Sequence, residues 1–194
     1  MKYILRLLSV SAVMLFVLAS TVFAASPGTA TVMDDSFNLS SIRSIAIAMP
    51  NYIQTKTGPS IDDVTTALAQ SGFDTKALKG VTVIPYQVVA EAIRRDSGTD
   101  ISTMSRTAAK KAFQQNIGKY ADTYLVATIA NDSRIVIFYD LYSAKDGKYL
   151  YSYEVIGGGQ GSNNIRSYKT YNEDFYNGFA DSVKGINNVK NVKK

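Results

Sequence analysis

Four glycines fall within five positions in residues 155–164, VIGGGQGSNN, a density that can wrap backbone N–H groups around a phosphate. A P-loop needs Gly-x-x-x-x-Gly-Lys-Ser/Thr between a strand and a helix, and no Lys-Ser or Lys-Thr follows Gly157, Gly158, Gly159 and Gly161. A dinucleotide fingerprint opens a helix inside a parallel unit, whereas SNNIRSYKTYN after Gly161 is polar and turn-like. The cluster therefore reads as a flexible connector toward a last helix, and nucleotide binding is not expected.

The tyrosines offer different chemistry. Tyr149, Tyr151 and Tyr153 alternate, which puts them on one face of a strand, and Tyr139 belongs to the partnering strand. Exposed, such a row is a stacking and hydrogen-bonding platform for a glycan or a protein. Enclosed, the same rings pack across strands or under helices, which is common for tyrosine. Tyr149, Tyr151, Tyr153 and Tyr139 are the candidate binding residues.

Acid pairs at Asp34-Asp35, Asp62-Asp63 and Glu173-Asp174 raise carboxylate catalysis, which needs two carboxyls held across a substrate in unlike environments. The second and third pairs fall where helix starts favour acids, and the first lies in a leader. Ser143 with Lys145 and Ser167 with Lys169 are the Ser-Lys arrangements an envelope hydrolase or transferase would use. No catalytic residue is assigned.

Histidine and cysteine are absent, and tryptophan as well. Without imidazole or thiol, the usual zinc, haem and iron–sulfur ligand sets and the Ser-His-Asp and Cys-His nucleophile systems cannot be assembled. No EF-hand spacing is present. No cofactor or metal is expected. The net charge is +5, and removal of Lys2 and Arg6 with a leader leaves 19 basic residues against 16 acidic ones. So small an excess does not argue for nucleic acid.

Positioning elements follow from punctuation. Residues 1–24 have the parts of an export signal: Lys2 and Arg6, an apolar run from Leu7, and Val22-Phe23-Ala24 before the expected cleavage. Membrane contact is expected only through this segment, if it stays uncleaved. Residues 25–41 read as a flexible leader, 42–187 as a single domain and 188–194 as a basic tail. Residues 43–49 predict a buried strand. Ser60 and Asp63 then predict a capped helix ended by Gly72. Residues 81–85 predict a short strand. Pro85 opens a helix ended by Gly98, with Val88, Val89, Ala92 and Ile93 inward. A third helix is expected over about 103–117, with Met104, Ala108, Ala112, Phe113 and Ile117 as its stripe. Three strands follow from residue 122, the last two joined around Asp146-Gly147, a strong hairpin signal. Phe175, Phe179, Val183 and Ile186 space a final helix, with Gly178 as a blemish. The order is β-α-β-α-α-β-β-β-α. It predicts an α/β (α+β mixed) fold, with a mixed sheet of about five strands and an antiparallel C-terminal meander.

Pro85, Gly118, Ala121-Asp122, Asp140 and Gly147 also form a rhythm across residues 42–186. In this the chain resembles the extracytoplasmic domain shared by the TolB amino-terminal region, the CsgG-like curli-secretion proteins and the penicillin-binding-protein-activator lipoproteins, here without a lipobox cysteine. The resemblance implies a periplasmic or secreted, non-enzymatic protein whose partner is an envelope protein or polymer, in assembly or secretion.

Overall fold

The computed structural model describes residues 26–185 and 190–191. The export signal expected at 1–24, and all of the tail except Lys190–Asn191, lie outside the described residues. In chain order the elements are β1 (Ser26–Val32), β2 (Ser44–Ile47), β3 (Asn51–Tyr52), α1 (Ile61–Asp74), β4 (Thr82–Ile84), α2 (Tyr86–Ser97), α3 (Arg106–Asn116), β5 (Thr123–Asn131), β6 (Arg134–Ser143), β7 (Tyr149–Gly159), α4 (Ile165–Val183) and β8 (Lys190–Asn191).

The strands form one mixed sheet in the order β4-β2-β5-β6-β7-β1-β8, with β3 pairing with β5 off this path. β2 runs parallel to β4 and β5, as helical crossovers require. β5, β6 and β7 form the expected antiparallel meander. The fold is thus the expected α/β mixture, with three strands more than the sequence announced.

One of these, β1, corrects the leader. Residues 26–32 pair antiparallel with β7, Thr29 opposite Glu154 and Thr31 opposite Ser152. Beyond it, Lys148 Nζ meets Asp34 Oδ2 at 2.6 Å, tying the following turn to the β6–β7 hairpin. Part of the expected tail is sheet as well, since Lys190 and Asn191 pair in parallel with Thr31 and Val32.

The helix signals were mostly local and mostly held. Ser60 Oγ accepts from the Asp63 N–H at 3.1 Å while Asp63 Oδ2 accepts from the Ser60 N–H at 3.3 Å, completing the capping box. Gly98 ends α2 with φ 70°, a left-handed cap. Gly72 does not end α1, which continues to Asp74. A Cβ on Gly72 would lie 2.7 Å from Val83 and 2.8 Å from the Tyr176 ring, so the glycine admits a neighbour rather than breaking the helix. α3 begins one turn later than expected, capped by Ser105, which leaves Met104 and Ala108 exposed. Val88, expected inward, is also exposed. α4 starts at Ile165 with Asn164 as its cap, so Glu173-Asp174 lie in mid-helix rather than at a helix start. Among the described residues no helix is long and apolar enough to cross a membrane.

Asp122, Gly118 and Gly147 fix the joins of the sheet. Asp122 Oδ2 accepts from the N–H groups of Arg43 and Ser44 at 2.8 and 3.0 Å, fixing where β2 enters beside β5. Gly118 abuts the Ala144 carbonyl, leaving no room for a Cβ, and Gly147 turns the hairpin with φ 72°.

Alternation along the strands divides the core in two. Ile45, Ile47, Leu125, Ala127, Ile137, Tyr139 and Val155 face α1 and α4. Ala46, Tyr124 and Val126 face the other way, under α2 and α3. Those two helices cover only the β4-β2-β5 half of the second face. The β6-β7-β1 half carries no helix among the described residues.

Candidate interaction surface

Three of the four candidate tyrosines are core residues. Tyr139 is fully buried, stacked on Phe175 with ring centroids 4.7 Å apart, and its hydroxyl donates to Asn172 Oδ1 at 2.8 Å. Tyr151 is also fully buried, edge-on to Phe179, with its hydroxyl 3.1 Å from Ser182 Oγ. Tyr153 lies between Gly28 of β1 and Gly178 of α4, at positions where an added Cβ would overlap its ring. Burial pushes all three hydroxyls above the ordinary tyrosine range, so they remain protonated.

Tyr149 does not share their face. The β6–β7 register places Leu141 opposite Tyr151 but Tyr142 opposite Tyr149, so Leu150 is an extra residue in a β-bulge. The bulge breaks the strict alternation and sends Tyr149 to the second face. There it stacks on Tyr142 at 5.0 Å, and Tyr142 stacks on Tyr124 at 5.3 Å. Its hydroxyl donates to Asp140 Oδ1 at 2.7 Å, an oxygen that also accepts from Ser152 Oγ at 2.8 Å. Burial, and then this carboxylate, raise its pKa. Of the two readings of the tyrosines, the enclosed one describes Tyr139, Tyr151 and Tyr153, and no accessible row is formed.

What the sheet does expose is the uncovered half of its second face. Its registers can be read across the strands. Ala130, Val136 and Ile156 make one row, and Thr128, Phe138, Glu154 and Thr29 the next. Asp140, Ser152 and Thr31 follow, with the Tyr142–Tyr149 stack closing the patch. Phe138 is 40% and Ile156 38% exposed, unusual for large apolar side chains at the middle of strands. Glu154 stands between Phe138 and Thr29 and makes no ion pair or side-chain hydrogen bond among the described residues. Phe138, Ile156 and Glu154 belong to no motif, and their exposure depends on which face the helices leave uncovered. The alternation Val136, Phe138, Asp140, Tyr142 was nevertheless readable.

The other motifs resolve into structure. Gly157 to Gly159 continue β7 instead of forming a loop, and Gly159 pairs with Arg134. The Gly158 N–H donates to Tyr171 Oη at 3.2 Å, and a Cβ on Gly157 would overlap that same hydroxyl. These glycines admit a tyrosine rather than a phosphate. Asp34-Asp35, Asp62-Asp63 and Glu173-Asp174 are carried by three separate segments: the turn after β1, the start of α1 and the middle of α4. No hydrogen bond joins Ser143 to Lys145 or Ser167 to Lys169 among the described residues. Nor do these contain a group of three or more metal-ligating side chains.

No family model and no curated protein matches the chain. It is similar to solved structures at low identity. A PelC dodecamer from Paraburkholderia phytofirmans aligns at 12% identity and a TM-score of 0.45, over 81% of this chain and 99% of that one. The LpoB C-terminal domain from Escherichia coli aligns at 11% identity and a TM-score of 0.42, over 62% of this chain and 98% of that one. At this distance the likeness bears on neither activity nor partner.

Proposed function

We propose that the chain is exported to the cell envelope through residues 1–24 and acts there, without catalysis, by binding a protein partner on the uncovered face of β6, β7 and β1. The observation that carries this reading is the patch of Phe138, Ile156 and Val136 around Glu154, which makes no ion pair among the described residues. Apolar side chains at the centre of a sheet supply binding energy at little cost in ordering, and a carboxylate among them that has no partner among the described residues selects a cation. The occupant is a protein segment that brings apolar side chains and one lysine or arginine. The sequence resemblance to the penicillin-binding-protein-activator lipoproteins, and the absence of histidine and cysteine, support the same reading.

Charge reversal tests it. Glu154→Lys, in a protein whose thermal unfolding is unchanged, is expected to lose its envelope partner in affinity capture followed by mass spectrometry. Phe138→Ser with Ile156→Ser is expected to lose the same protein. Equal recovery of that partner by wild type and both variants would remove the face from the account.

A further inference from the structure

The open half of the second face offers side chains and no backbone. β6 is paired on both sides, with β5 and β7, and β7 is paired with β6 and β1. A partner strand cannot be added there, because strand addition uses the free N–H and C=O groups of a sheet edge. Whatever covers this half must lie on top of it, as α2 and α3 lie on the other half.

Its dimensions suit one helix. Three strands spaced about 4.8 Å apart make a strip roughly 10 Å wide between its outer backbones, close to the diameter of an α-helix with its side chains. α3 borders this strip: Gln114 Nε2 donates to the Tyr124 hydroxyl of β5 at 3.3 Å, and Tyr124 stacks on Tyr142 of β6. Along β7, the middle strand, Tyr151, Tyr153 and Val155 are buried, so Ser152, Glu154 and Ile156 rise from the open side. These three rows are about 6.7 Å apart. Residues four apart on a helix advance about 6 Å, so positions i, i+4 and i+8 of a helix laid along β7 meet them in turn.

The rows differ in chemistry. Val136 and Ile156 make the first apolar. Phe138 stands in the second beside Glu154, which makes no ion pair or side-chain hydrogen bond among the described residues. In the third, Asp140 Oδ1 accepts from Tyr149 and Ser152, while Oδ2 has no hydrogen bond among the described residues. Neither carboxylate is ion-paired to a lysine or arginine among the described residues. The strip is therefore apolar at one end and negative further along.

Resting on the reading of this face as the partner's surface, we infer that the partner covers it with a single amphipathic α-helix, laid along β7 beside α3. The helix sets an apolar residue over Ile156, a lysine or arginine against Glu154 one turn on, and a hydrogen-bond donor for Asp140 a turn further.

The test places a photoreactive side chain at Ile156 in one variant and at Ser152 in another. Each is crosslinked in living cells, and the attachment point on the captured partner is read by peptide mass spectrometry. Four strand residues span about 13 Å, which is roughly nine residues of helix but only about four of an extended chain. The expected result is two attachment points about seven to eleven residues apart in one segment, with a lysine or arginine between them. Proline introduced midway between those points in the partner should weaken its capture about tenfold or more, since an interior proline breaks a helix. Attachment points about five or fewer residues apart, points in two separate segments, or capture indifferent to the proline would overturn the helix and leave the face as the binding surface. Capture of no protein from either position would overturn the face and the helix together.

Discussion

The ring of Tyr153 occupies the space where Gly178 would carry a Cβ. Gly28 flanks the same ring from β1, so a strand residue is clamped between a helix and the neighbouring strand. In an exposed helix, Gly→Ala stabilises by roughly 0.5–1 kcal/mol through backbone entropy. Here the added methyl meets a buried aromatic ring, and overpacking of that kind costs about 1–3 kcal/mol. Gly178→Ala should therefore destabilise despite the better helix propensity, and Gly28→Ala should do the same. Urea unfolding monitored by circular dichroism reads both, and a rise in midpoint for either would refute the clamp.

Tyr139 and Asn172 form a buried polar pair between β6 and α4, and Asn172 Nδ2 has no partner among the described residues. Tyr139→Phe leaves the Asn172 carbonyl oxygen unmatched as well and should cost about 1–3 kcal/mol. Asn172→Leu alone strands the tyrosine hydroxyl at a similar cost. Combined, they replace two polar groups by apolar ones of similar size, so the double variant should be less destabilised than the sum of the two by about 1 kcal/mol or more. Additive losses in a double-mutant cycle would show that the pair is not coupled.

Asp34 makes the attachment of β1 sensitive to acid. Hydrogen bonds from Lys148, and then Ser36, hold its carboxyl at about 2, below the ordinary 3.8. Because the folded value is depressed, the contribution to stability is complete above pH 3.8 and is lost as pH falls through 2. Asp34→Asn keeps an acceptor for Ser36 but removes the charge. Melting temperatures of wild type and variant should differ at pH 6, converge between pH 4 and 2, and coincide below pH 2. A constant difference across that range would exclude the ion pair as its source. Being near the surface, the pair should also weaken in high salt.

Local signals were legible and tertiary ones were not. The capping box at Ser60, the Pro85-to-Gly98 helix and the Asp146-Gly147 hairpin depend on residues within a few positions of one another, and each appeared as read. β1 was hidden because SPGTATV shows little hydrophobic alternation. Its small residues are there to border β7 and the Tyr153 ring. Gly72, Gly157 and Gly178 read as breaks, yet each makes room for a tyrosine distant in sequence. The reading of Tyr149 failed at one inserted residue, since a bulge reverses every side chain beyond it. That Phe138 and Tyr139 point to opposite faces was clear from alternation. Which face stayed open depended on where α2 and α3 packed, and no local pattern carries that information.

The most direct measurement is site-specific photocrosslinking in living cells, with a photoreactive side chain in place of Phe138. Phe73, which is 57% exposed on α1, provides the control position on the opposite, helix-covered side. The account predicts one discrete crosslinked protein species from position 138, absent from position 73 and abolished by adding Glu154→Lys. No adduct at 138, or the same adducts from both positions, would contradict it.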